Sequence, residues 1–121
     1  MNKPTLRLAI EFNKRVREDD EWFDDPDDLD RVVRALTSFD NLENPLVAAG
    51  VLAYRVTRAQ GFAEGNKRTA ILLARWLLDS NGVDGGQILP PDDRIIADLL
   101  VQTASGADVE AEIISILEAR A

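Results

Sequence analysis

Between two apolar runs the chain reads Gln60-Gly61-Phe62-Ala63-Glu64-Gly65-Asn66-Lys67-Arg68-Thr69, a polar, glycine-bearing stretch with a single aromatic. A packed core has no use for such a stretch, whereas an anion does. Free backbone N–H groups at the start of a helix beginning near Lys67, together with the helix dipole, make an anion site without any side chain. Gly65 lets the backbone approach the anion closely. Lys67 and Arg68 add positive charge beside those N–H groups, and Glu64 can hold a hard cation such as Mg²⁺ that bridges phosphate oxygens. The residues alone leave a plainer reading open, a helix cap with a solvated Lys-Arg pair. The stretch is not a Walker loop, because three residues separate Gly61 from Gly65 and Asn66 stands before the lysine.

Composition narrows the chemistry further. The chain has 121 residues, enough for one core, so a single domain over 1–121 is expected. Cysteine and histidine are both absent. That excludes disulfides, thiolate or imidazole metal ligation, and any histidine base from this chain. The lack of cysteine fits a reducing cytoplasm. A net charge of −8 argues against direct nucleic-acid binding. No apolar run approaches the roughly 20 residues of a membrane span, and the first residues do not resemble a signal peptide.

The elements that must position the loop are helical. Thr5 is an N-cap ahead of Leu8, Ala9, Phe12 and Val16, although Leu6, Leu8, Ile10 and Phe12 also alternate as in a strand. Glu18 to Asp30 is acidic, with Trp22 and Phe23 its only aromatic residues, and its aspartates read as a solvated cap or as a cation or partner site. Asp25-Pro26 signals a helix start, followed by the stripe Leu29, Val32, Val33, Leu36 and Phe39. Asn44-Pro45 repeats the signal for a helix running to Gln60. Asn66 is expected to cap the next helix, Lys67 to about Ser80, which is apolar nearly all round and so central and buried. Asn81-Gly82 stops it in the left-handed region or forms a hairpin turn. After a loop from Val83 to Pro90, Pro91-Asp92-Asp93 opens a helix that Gly106 breaks, and Asp108 caps the last one. The expected fold is all-α, a compact bundle of about six helices.

At Phe62, Glu64, Gly65, Asn66, Lys67 and Arg68 the chain resembles the Fic/Doc family, whose signature is His-x-Phe-x-(Asp/Glu)-(Gly/Ala)-Asn-(Gly/Lys)-Arg. The likeness extends from about Leu6 to Arg120 and is nearest the short Doc toxin branch. AMP-transferring members generally carry a second glycine and a second arginine where this chain has Lys67 and Ile71. Gly65 departs from the alanine of Doc, so the signature is mixed.

The resemblance implies that Phe62 anchors the loop, that Glu64 binds Mg²⁺, and that Gly65, Asn66, Lys67 and Arg68 contact the phosphates of ATP. It further implies transfer of AMP or phosphate to a protein hydroxyl, for Doc toxins on the translation factor that delivers aminoacyl-tRNA. The catalytic positions are Arg68 and Gln60, and Gln60 stands where the family has its histidine. A neutral amide cannot take the proton of an attacking hydroxyl, so a general-base contribution of about 10²- to 10⁴-fold is missing. No inhibitory (Ser/Thr)-x-x-x-Glu-(Gly/Asn) motif is present; Ser38 to Asn44 comes near but has Leu42 at the glutamate position. Control by an antitoxin in trans is therefore expected. Thr37 to Glu43 is either the flap that docks a target or an ordinary turn between helices.

Overall fold

The computed structural model describes residues 1–17 and 26–121. Trp22, Phe23, Asp25 and the rest of the acidic stretch 18–25 lie outside the described residues. Within them the fold is helical without strands: α1 (Leu6–Val16), α2 (Leu29–Thr37), α3 (Pro45–Ala59), α4 (Asn66–Ser80), α5 (Gly85–Ile88), α6 (Arg94–Ala104) and α7 (Glu110–Ala119). No helix among these residues is long and apolar enough to cross a membrane.

Side-chain caps set most of the starts. Thr5 accepts from the Leu8 N–H, Asn44 from those of Leu46 and Val47, and Asp93 from that of Ile96. Pro45 sits in the first turn of α3, where its missing donor costs nothing. Gly82 and Gly106 are left-handed, as their stop positions require.

Three expected boundaries move. α2 starts at Leu29 with Asp28 as its cap, so Pro26 precedes the helix instead of opening it. Asn66 is already helical and caps nothing, because left-handed Gly65 is the N-cap residue. At α7 the N-cap residue is Val109, not Asp108, and no side chain caps the helix; the Val109 carbonyl accepts its first bond from Ile113. The short α5 lies inside the expected loop from Val83 to Pro90.

The core centres on the α3–α4 pair, with α2, α6 and α7 also against α3, and α1 and α5 against α4. α3 is the more enclosed of the two: Ala48, Ala49, Leu52 and Ala53 have no exposed surface, and such small residues let neighbours come close. α4 buries Ala70, Leu73, Ala74, Leu77 and Leu78, while Ile71, Leu72 and Trp76 stay half-exposed at its edge. In α2 the predicted stripe is wider than the contact surface. Val32, Leu36 and Phe39 are buried, but Leu29 and Val33 are over a third exposed.

The C-terminal end is fastened by Arg120, whose guanidinium donates to the Ile88 carbonyl and pairs with both Asp93 oxygens. Burial alone would raise the Asp93 pKa. The Arg120 guanidinium and the Ile96 and Ile95 amides outweigh it and hold the carboxyl below its ordinary 3.8. With the folded-state pKa the lower one, the stabilisation is fully present above about pH 4 and is lost as pH falls through the folded value. Asp93→Asn is expected to cost about 1–3 kcal/mol at neutral pH and to flatten the loss of stability on acidification. Urea unfolding at a series of pH values checks both.

Candidate functional site

α3 ends at Ala59, and Gln60 turns the chain out of it at φ 47° and ψ 45°. It is the one non-glycine residue with positive φ among the described residues, a conformation that costs a side-chain-bearing residue about 1 kcal/mol or more. Its side-chain amide donates to the Ala104 carbonyl at the end of α6, at 2.9 Å. The loop is thereby bound to an element 44 residues away.

Gly61 follows, packed against the entry to α2. A Cβ there would lie 2.5 Å from Val32 Cγ2 and 2.9 Å from the Asp28 carbonyl oxygen, so no larger residue fits without moving the backbone. The Asp28 N–H donates to the Gly61 carbonyl at 2.6 Å, and the Ala63 N–H donates to Asp27 Oδ1 at 2.8 Å. Phe62 is 3% exposed and anchors the loop in the core. The Asn66 side chain closes the loop on itself: its Oδ1 accepts from the Phe62 N–H at 3.0 Å, and its Nδ2 donates to the Phe62 carbonyl at 2.8 Å.

A second clamp comes from α1. Asn13, 3% exposed, donates through Nδ2 to the Glu64 carbonyl at 2.9 Å and to Thr69 Oγ1 at 3.2 Å. Arg17 donates to Asn13 Oδ1 at 3.0 Å and to Asp27 Oδ1 at 2.8 Å. Asn13 and Asp27 thus hold the two halves of the loop; the sequence carries Asp27 only as one of an aspartate run and gives Asn13 no role. Asn13 lies four residues after fully buried Ala9, so a polar amide within the buried stripe was the available signal.

Gly65 starts α4 at φ 77°, and a Cβ there would sit 2.8 Å from Val16 Cγ2. Conformation and crowding both demand glycine. Five of the other helices have a side-chain cap; α4 has none. The backbone N–H groups of Asn66, Lys67 and Arg68 make no hydrogen bond among the described residues. No acidic residue lies in the first turn of α4, which carries Lys67 and Arg68, both exposed, instead. Glu64 and Arg68 form no ion pair with each other.

Two openings flank the loop. A recess of about 240 Å³ is lined by Thr57, Gln60, Glu64, Gly65, Asn66 and Lys67, and so gathers every predicted site residue except Arg68. Thr57 Oγ1, fully buried, has no hydrogen-bond partner among the described residues. On the other side a cleft of about 780 Å³ runs between the loop and the start of α2, with Asp27, Asp28, Asp30 and Arg31 along one wall. Gln60 and Asn66 border both openings. The turn from Thr37 to Glu43 is elsewhere. Its far end joins the start of α3, about 22 Å of helix from Gln60, while Ser38 at its near end lies beside Arg55 and Arg58 late in α3; the segment that borders the loop itself is Pro26 to Asp28.

Among the described residues no three acidic side chains come together as a ready-made metal cage. Mg²⁺ needs no such cage, because it keeps several waters and is commonly held by one or two carboxylates together with phosphate oxygens. Glu64 is exposed and lines the recess beside the start of α4.

Compared with curated proteins, the chain has no match. The model of the Fic/DOC family matches residues 2–78, from before α1 through nearly all of α4 and including the whole loop. With well over half of its length matched and the loop held between two core helices, the chain belongs to the Fic/DOC family.

Proposed function

We propose that this protein is a toxin of the Doc type that transfers phosphate or AMP from ATP to a hydroxyl of a target protein, slowed by Gln60 and controlled by a separate antitoxin in the cytoplasm. One observation carries the reading: α4 begins with three unbonded N–H groups, no cap and two cations. A cation at the positive end of a helix is unfavourable by about 0.3–1 kcal/mol, and a missing cap costs about 1 kcal/mol. A bound polyanion reverses both deficits. In this reading the amides of Asn66, Lys67 and Arg68 and the two basic side chains hold phosphates, while the Asn66 side chain keeps the loop in shape. Thr57, whose buried hydroxyl has no partner among the described residues, lines the same recess.

Glu64 would hold Mg²⁺, which when bound neutralises charge on the phosphate oxygens. The target hydroxyl oxygen bonds to phosphorus, the bond from phosphorus to the bridging oxygen breaks, and the hydroxyl proton passes to water. Gln60 cannot accept that proton. It can only orient the hydroxyl, and it borders both the recess and the larger cleft through which a target would enter. Antitoxin control by an amphipathic segment and a translation factor as target follow from the Doc resemblance.

A specific observation favours a second reading. The Gln60 amide is already engaged with the Ala104 carbonyl, as in a module that binds nucleotide without turnover. Calorimetry with Mg-ATP tests the shared premise: binding is expected, with about 2.7 kcal/mol of added stability at a hundredfold excess over Kd. Lys67→Ala with Arg68→Ala should abolish it. Incubation with target extract and ATP labelled at the α or γ position then separates the readings. Label transfer supports the enzyme, binding without transfer supports the module, and no binding overturns both.

A further inference from the structure

α2 and α3 leave between them a groove of about 320 Å³, distinct from the two openings at the loop. Its floor includes Ala35 and Ala59, and its walls carry Arg31 and Arg34 from α2 and Arg55 and Arg58 from α3. Each arginine pair is spaced i, i+3, which puts both members on one helix face. Four of the chain's 14 cationic residues thus surround one groove in a protein of net charge −8.

Internal pairing does not account for all four. Arg55 is held by Glu110 at 3.0 Å and by the Ser38 carbonyl at 2.9 Å. Arg31 meets Asp28 at 3.3 Å in an exposed pair, which contributes little. Arg34 uses only Nε, on the Asp30 carbonyl. Arg58 is exposed and makes no hydrogen bond or ion pair among the described residues. An apolar floor between two guanidinium forks suits carboxylates, which arginine binds in a bidentate manner. The position adds direction: Arg58 and Ala59 directly precede Gln60, and Arg31 borders both this groove and the cleft beside Gln60.

We propose that this groove docks an acidic segment of the target protein, whose carboxylates engage Arg34 and Arg58 and so lead a nearby hydroxyl into the cleft beside Gln60. The fate of the hydroxyl rests on the transferase reading; the docking does not. The overall negative charge is no obstacle, because a screening length of about 8 Å at physiological salt leaves the local arginines to decide.

The test uses a fluorescein-labelled serine peptide flanked by glutamates and follows anisotropy. Wild-type protein is expected to bind it, and Arg34→Glu with Arg58→Glu to weaken binding at least about tenfold, or 1.4 kcal/mol. Arg7→Glu, an exposed charge reversal on α1, should have no effect. Should the double variant not fold, Arg58→Gln gives the same reading with about a threefold loss. No binding, equal weakening by Arg7→Glu, or equal binding of a lysine-flanked peptide overturns the proposal. In the Gln60→His chain with ATP, the glutamate peptide should accept label faster than one flanked by glutamine, and equal labelling overturns the assignment to a target. Mg-ATP calorimetry on the same proteins keeps the two readings apart: lost nucleotide binding with retained peptide binding sinks the transferase and leaves the groove standing.

Discussion

Gln60→His is expected to raise group transfer by about 10²- to 10⁴-fold, the largest effect of any single substitution in this chain. The position accepts histidine sterically, since it is left-handed and histidine is among the residues enriched there. Losing the bond to the Ala104 carbonyl costs about 1 kcal/mol, small beside the gain of a base. The gain should rise with pH as the imidazole loses its proton near pH 6.5, which mere release of the loop from α6 would not produce. Gln60→Ala separates the two causes, because it breaks the same bond and supplies no base. The assay is labelled-ATP transfer into target extract. A histidine variant that binds Mg-ATP and transfers no faster than the Gln60 chain sinks the assignment of Gln60 to the base position.

The second large effect is expected at Asn13, which touches no proposed ligand. Asn13→Ala leaves the Glu64 carbonyl without its donor and Thr69 Oγ1 without its partner, and removes one acceptor of Arg17. A buried polar group stripped of its partner costs about 1–3 kcal/mol, so a loss of about 2–3 kcal/mol is expected in urea unfolding. Since Asn13 fixes the loop on either side of Gly65, nucleotide affinity should fall about tenfold as well. A stability loss below about 1 kcal/mol would show that the loop holds its shape without α1.

The helices were legible where a local signal decides them. Thr5 and Asn44-Pro45 mark their starts because capping is a contact of a few residues, and the loop from Gln60 to Thr69 stands out because polar, glycine-bearing sequence between apolar runs is costly without a purpose. What stayed hidden depends on distant partners. Nothing near Asn13 announces that its amide meets Glu64, 51 residues on, and nothing near Gln60 announces Ala104. Asn66 has the residue type of a cap, but left-handed Gly65 starts the helix one residue earlier and the Asn66 side chain turns back onto Phe62. The turn of α5 begins with Gly85-Gly86, a poor helix former, and exists because Asp84 caps it and Asp79 holds the Gly85 N–H. Thr37 to Glu43, either a flap or an ordinary turn on the sequence alone, does not border the loop; only its Ser38 end reaches the late part of α3, because nearness in sequence to the core pair says nothing about which end of α3 a turn occupies.

The bare, cationic head of α4 sits in a molecule that is otherwise strongly acidic, and this governs how an anion arrives. At low ionic strength, where screening is weak, a highly charged phosphate ester meets a field of its own sign at long range, and only in the last several ångströms does the attraction of the amides and Lys67 take over. Encounter is therefore hindered and capture is local. Added salt, which slows association in electrostatically steered systems, here removes the outer repulsion first and speeds the approach.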